Sequence, residues 1–129
     1  MAAVVLTRRV QWMDTDAAGI WHYSTIIRWA EEAEAELHRR AGVSDITFGA
    51  TPRVHVEFDF RTPVRFDDEV SIEFGVDEMG ESSIVYGLVV KRAGDEIARG
   101  RIIAAFIDRA TGKKQAWPAP ARQGLSRRD

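Results

Sequence analysis

The spacing of apolar residues changes twice along the chain. Val4, Leu6, Val10 and Trp12 keep to even positions, the imperfect alternation of a strand over Val4 to Trp12. From Tyr23 the period lengthens: Ile26, Ala30, Ala33 and Leu37 recur in steps of four, three and four, with Arg28, Glu32, Glu36 and Arg39 off that line. This is the stripe of an amphipathic helix, and it predicts one from Tyr23 to Gly42, with Ser24 or Thr25 capping its start and Gly42 ending it. The alanines in the stripe let the helix axis approach a packing partner closely, as in a helix lying on a sheet.

After a linker at 43–51, period two returns. Val54, Val56, Phe58 and Phe60 share one face of a strand, and His55, Glu57, Asp59 and Arg61 the other. Pro63 interrupts it, and the turn Phe66-Asp67-Asp68-Glu69 leads into Val70, Ile72, Phe74 and Val76. A turn around Gly80 precedes a run from Ile84 to Val90. Ala93-Gly94-Asp95 then opens another from Ile97 to Ile107, closed by Asp108-Arg109-Ala110-Thr111-Gly112. Short turns between the later runs imply antiparallel neighbours. With one apolar helix stripe to cover so many strands, the pattern is that of an α+β domain whose sheet wraps a central helix.

At 129 residues the chain has the length of one domain, taken as 1–118, and residues 119–129, with Pro120 and the polar end Ser126-Arg127-Arg128-Asp129, form an expected flexible tail. A net charge of −2 and 45% hydrophobic residues point to neither a nucleic acid nor a membrane surface. The apolar start Ala2–Leu6 is shorter than a signal core, and no run approaches a membrane span. No cysteine is present, which excludes disulfides, thiolate nucleophiles and cysteine zinc sites and fits a reducing compartment, with the cytoplasm as the default. There is no Gly-x-Ser-x-Gly, no phosphate loop and no dinucleotide fingerprint, and His22, His38 and His55 lack metalloprotease spacing. No cofactor is called for.

What remains is carboxylate chemistry. Asp14 and Asp16 stand in a small-residue turn ending at Gly19, just before a helix start where unpaired N–H groups and the positive end of the dipole collect. A carboxylate there could serve as nucleophile or base beside an oxyanion-stabilising helix end. The competing reading is that both aspartates cap the turn and helix, and that His22 and Tyr23 pack at the helix start. Asp14, Asp16 and His22 supply too few ligands for a calcium loop. Glu31, Glu32, Glu34 and Glu36 read as a solvated helix face, with Glu31 the one singled out for a possible role.

Trp12-Met13-Asp14-Thr15-Asp16-Ala17-Ala18-Gly19-Ile20, the aromatic pair Trp21 and Tyr23, and Arg28-Trp29 with Glu31 and Ala33 resemble the signature of the 4-hydroxybenzoyl-CoA thioesterase family of hotdog-fold proteins. The likeness continues through Thr51-Pro52, the Phe66–Val70 turn and Asp108–Lys113, and so covers about residues 7 to 118. The resemblance implies a five-stranded antiparallel sheet curled around the helix, and subunits pairing edge to edge into dimers that often become tetramers. It implies hydrolysis of an aromatic or short to medium acyl-CoA to free acid and CoA. Asp16 matches the catalytic carboxylate, and Tyr23 the residue whose backbone N–H polarises the thioester carbonyl. Gly19, Trp21, His22, Glu31 and Thr51 become candidate substrate-binding positions, Glu31 against the acyl ring and Thr51 near the acyl pocket. Thr25-Ile26 departs from the family's usual Asn and aromatic. Gly80-Glu81-Ser82-Ser83 replaces a basic turn that grips CoA in some members, which leaves Arg92, Arg99 or Arg101 for that task. An acyl-carrier-protein thioesterase and a non-catalytic acyl-CoA-binding module remain alternatives, and a hotdog dehydratase lacks its Asp/His pair.

Overall fold

The computed structural model describes residues 1–127. The alternating runs become β1 (Ala3–Arg9), β2 (Arg53–Phe60), β3 (Glu69–Met79), β4 (Ser83–Arg92) and β5 (Asp95–Ala105). They form one antiparallel sheet in the order β1-β3-β4-β5-β2. The apolar side of β3 and β4, with Ile72, Phe74, Tyr86 and Leu88, is buried. Helix α1 (Ser24–Arg40) lies across it, packed on β3 and β1, and buries Ile26, Ala30, Ala33 and Leu37 as the stripe requires. The linker holds a single turn, α2 (Ser44–Thr47).

Four expectations are corrected. Neither Ser24 nor Thr25 caps α1; Tyr23 is its N-cap residue and makes no side-chain cap bond. Glu34 is not on a solvated face: the buried stripe widens to include Glu34 and His38, each four residues beyond the one before it from Ala30. Glu34 is 4% exposed and forms an ion pair with Arg53 at the start of β2. The apolar row of β2 is not covered either, because α1 sits toward β1 and β3 while β2 is the far edge; Val54, Val56 and Phe60 stay exposed. Phe58 alone folds inward, its ring occupying the space where a side chain at Gly100 would be.

The expected tail is the fourth correction. Residues Ala119–Ser126 form α3, with Pro120 tolerated in the first turn and Ala121 and Leu125, four apart, fully buried. Gly124 lies against the end of α1, where an added Cβ would come within 2.8 Å of the Ala41 carbonyl oxygen. The last two residues, 128 and 129, fall outside the described residues.

A buried polar chain ties α1 to its surroundings. Thr47 Oγ1 donates to the Val43 carbonyl at 3.2 Å, so it accepts from His38 Nδ1 at 2.6 Å, and Tyr86 O–H donates to Nε2 at 2.7 Å. That network assigns the neutral Nδ1–H tautomer. Burial lowers the His38 pKa from 6.5 to about 4 and raises that of Tyr86 above its usual range. Because the folded pKa lies below the unfolded one, this stability is complete above pH 6.5 and is lost as pH falls toward 4, about 3 kcal/mol in all. Urea unfolding at pH 7 and pH 4 is expected to show that loss, reduced in His38→Asn, which lacks the titrating ring. An equal pH slope in the two proteins would refute it.

Candidate active site

The loop between β1 and α1 is closed on itself before it meets the rest of the fold. A short 3-10 turn, Trp12–Asp14, is held by Asp14 Oδ2, which accepts from the Gln11 N–H at 2.8 Å. The Asp14 Oδ1 atom takes Arg28 Nη2 at 2.6 Å, and its carbonyl accepts from His22 N–H and the Thr25 hydroxyl at 2.6 and 2.8 Å. Asp14 is 2% exposed. Every acceptor it offers is engaged in structure, which agrees with the capping reading for this aspartate.

Asp16 has the opposite environment. It is exposed, and its Oδ1 accepts from Ala18 N–H at 2.8 Å; among the described residues Oδ2 has no partner. The backbone turns back at once: Asp16 N–H donates to Ile20 O at 2.8 Å and Gly19 N–H to Asp16 O at 3.0 Å. Gly19 takes φ +80, which side-chain-bearing residues resist, and Arg65 Nη1 lies 3.8 Å from where a Cβ would be. Two aspartates one residue apart therefore divide into a buried strut and an open carboxylate.

Downstream, Ile20 bridges to Arg65 and Trp21 N–H donates to Val64 O at 2.9 Å, while Arg61 and Thr62 N–H groups donate to Ile97 O. The contacts of Ile20 and Trp21 draw the segment after β2 against the Asp16 loop, and those to Ile97 hold it on β5. Between them opens a cavity of about 330 Å³ lined by Asp16, Ile20, Trp21, Tyr23, Phe60, Arg61, Thr62 and Pro63. A larger groove of about 540 Å³ crosses the outer face of the sheet over Gly75 and Gly87, and no residue of this loop lines it. Asp16 and Tyr23, at the start of α1, both line the smaller cavity.

At the helix start, Ser24 N–H donates to His22 Nδ1 at 3.1 Å, so that nitrogen carries no proton and also accepts from the Ser24 hydroxyl at 2.7 Å. The imidazole does the capping expected of a hydroxyl. The Tyr23 ring stacks on His22 at 4.5 Å and is 69% exposed, and its N–H has no acceptor among the described residues.

Of the candidates named from sequence, Asp16, Trp21 and Tyr23 line the cavity, with Gly19 and His22 beside it. Glu31 is exposed further along α1, and Thr51 is buried, donating to Thr47 O at 3.2 Å; within one chain neither lines the cavity. Arg92, Arg99 and Arg101 are paired with Asp68, Glu96 and Glu57. Phe60, Arg61 and Thr62 were missed as site residues: they lie 44 or more residues after Asp16, at a strand end marked only by Pro63. Among the described residues, no cluster of acidic, cysteine or histidine side chains could hold a metal, and no helix is long and apolar enough to cross a membrane.

Residues 10–125 match the model of the thioesterase-like superfamily. The chain belongs to that family. It is an α+β hotdog protein and a thioester hydrolase. A 1,4-dihydroxy-2-naphthoyl-CoA hydrolase of Prochlorococcus marinus strain NATL2A is 30% identical over 126 residues, spanning 86% of this chain and 79% of the relative. A solved gentisyl-coenzyme A thioesterase superposes with a TM-score of 0.83 at 25% identity, covering 96% of this chain and all of that one (100%). A 1,4-dihydroxy-2-naphthoyl-CoA thioesterase from Synechocystis gives 0.84 at 19% identity over 95% of each chain, a likeness of fold.

Proposed function

We propose that this hotdog protein is an acyl-CoA thioesterase acting on an aromatic or short to medium acyl group, with Asp16 as nucleophile or general base and the Tyr23 N–H as oxyanion donor. The observation that carries the reading is the shared cavity: Asp16, an exposed carboxylate with one free oxygen among the described residues, and Tyr23, whose N–H at the helix start has no acceptor among them, are both lining residues of the same 330 Å³ space. Charge that builds on a thioester oxygen would meet the N–H and the dipole end of α1. The carboxylate would either attack the carbonyl carbon, expelling CoA thiolate and leaving a mixed anhydride that water then hydrolyses, or take a proton from a water that attacks the carbonyl; either route consumes one water and releases CoA thiol and free acid. Relatives named for 1,4-dihydroxy-2-naphthoyl-CoA and gentisyl-CoA support an aromatic acyl group within that range.

Thiol release tests this with little background, because the chain has no cysteine of its own. Benzoyl-, phenylacetyl-, 1,4-dihydroxy-2-naphthoyl- and straight-chain CoAs form the panel. Since Arg92, Arg99 and Arg101 are already paired with carboxylates, acylated carrier protein is included as the second carrier. Hydrolysis of at least one thioester well above the spontaneous rate is expected; none would sink the proposal.

The reading includes a homo-oligomer, dimer or tetramer, and a cytoplasmic location suited to a chain without cysteine. Strand β2 is a sheet edge with Val54 and Val56 uncovered, the sort of surface that pairs with a second copy. A substrate role for Glu31 or Thr51 would then be played in a neighbouring protomer's cavity. Light scattering at micromolar concentration is expected to give a multiple of 14.5 kDa. A mass of one chain would exclude the oligomer.

A further inference from the structure

Phe60 stands apart from the other exposed apolar residues of β2. It is 46% exposed, yet its ring is fixed edge to face against Trp21, with centroids 5.4 Å apart and planes at 82°. Trp21 is itself 4% exposed and braced by Trp29 at 5.8 Å. Opposite Phe60 on β5 is Ala98, a small and fully buried side chain. Val54 and Val56 share the strand but line no part of the Asp16 cavity, whereas Phe60 does, with Ile20 and Pro63 as further apolar walls.

Resting on the thioesterase reading, we infer that Phe60 determines acyl specificity: its open ring packs against a flat aromatic acyl group whose thioester carbon lies at Asp16. A planar ring gains an oriented aromatic contact beyond the area it buries. A straight chain of equal carbon count gains only the burial and must freeze several rotors to fit. Phe60 thus discriminates aromatic from aliphatic acyl groups without taking part in bond making.

Two unreactive thioethers with seven-carbon groups, S-benzyl-CoA and S-heptyl-CoA, separate recognition from chemistry. Calorimetry with wild type, Phe60→Leu and Phe60→Tyr is run beside hydrolysis of benzoyl-CoA and heptanoyl-CoA. Phe60→Leu is expected to weaken S-benzyl-CoA roughly 3–10-fold and S-heptyl-CoA less than about twofold, with Phe60→Tyr restoring the preference. The same split is expected in KM, with kcat little changed. Equal loss on both ligands, no loss on either, absence of binding by both, or failure of Tyr to restore the preference would overturn the role of Phe60. The expected binding pattern without any hydrolysis would instead overturn the thioesterase reading and leave the aromatic subsite standing.

Discussion

Asp16→Asn is expected to lower turnover ~10²–10⁴-fold while the protein stays folded. Asn has neither a nucleophilic carboxylate nor a basic oxygen, so the chemical step loses its agent. The fold loses little. Asp16 is exposed, and the bond from Ala18 N–H to its Oδ1 is one that an amide oxygen can accept equally well. The turn is closed by the backbone bonds from Asp16 to Ile20 and from Gly19 to Asp16, which the substitution leaves alone. Asp14→Asn provides the contrast. It removes the charge that holds Arg28 at 2.6 Å from a buried side chain, and it puts an amide donor into a site built for acceptors. A cost of about 1–3 kcal/mol in stability is expected, toward the lower end because Arg28 is 43% exposed. Turnover per folded molecule should stay near wild type. Steady-state kinetics and melting temperatures of the two variants test the assignment; an Asp16→Asn enzyme within about threefold of wild type, some 0.7 kcal/mol in barrier, would show that the wrong aspartate had been chosen.

For Tyr23→Pro the expected loss in turnover is ~10²–10³-fold, and for Tyr23→Phe it is slight. The backbone conformation supports proline: Tyr23 has φ −59, inside the range of the pyrrolidine ring, at the N-cap of α1 where the missing N–H leaves no intrahelical bond unmade. Among the described residues that N–H bonds to nothing, so its removal costs the free protein no hydrogen bond. Its effect should appear only when a substrate oxygen gains charge, as a fall in kcat with KM little changed. The phenol group lies on an exposed ring stacked upon His22, so Tyr23→Phe keeps both the stack and the backbone donor. Tyr23→Ala separates packing from chemistry: it keeps the N–H and loses the stack. If the proline variant melts near wild type and turns over no worse than the alanine variant, the oxyanion role of Tyr23 is wrong.

What the chain determines by itself is the periodic part of the structure. The 3.6-residue stripe from Ile26 to Leu37 and the alternation of Val70 to Val76 and Ile84 to Val90 commit one face of each element to burial, and those elements stand where the pattern puts them. The Asp14 to Gly19 turn was also legible, because a run of small residues with a glycine before a helix start is local chemistry. The tertiary structure decided the rest, since it depends on what lies across space. Two aspartates with identical side chains divide into strut and open carboxylate only when Arg28, Gln11 and His22 converge on one of them. Glu34 is buried because Arg53 arrives from β2 to pair with it, a partner 19 positions away that no helical spacing reveals. The alternation of Val54 to Phe60 told of a face to be covered but not that the strand would be an edge beyond the reach of α1. Likewise Phe60 enters the cavity only because the backbone bonds of Ile20 and Trp21 to the segment after Pro63 draw that strand end onto the Asp16 loop. Periodicity records which side of an element avoids water; which element supplies the cover, and which polar group is left over for chemistry, is set by long-range contacts that leave no period in the sequence.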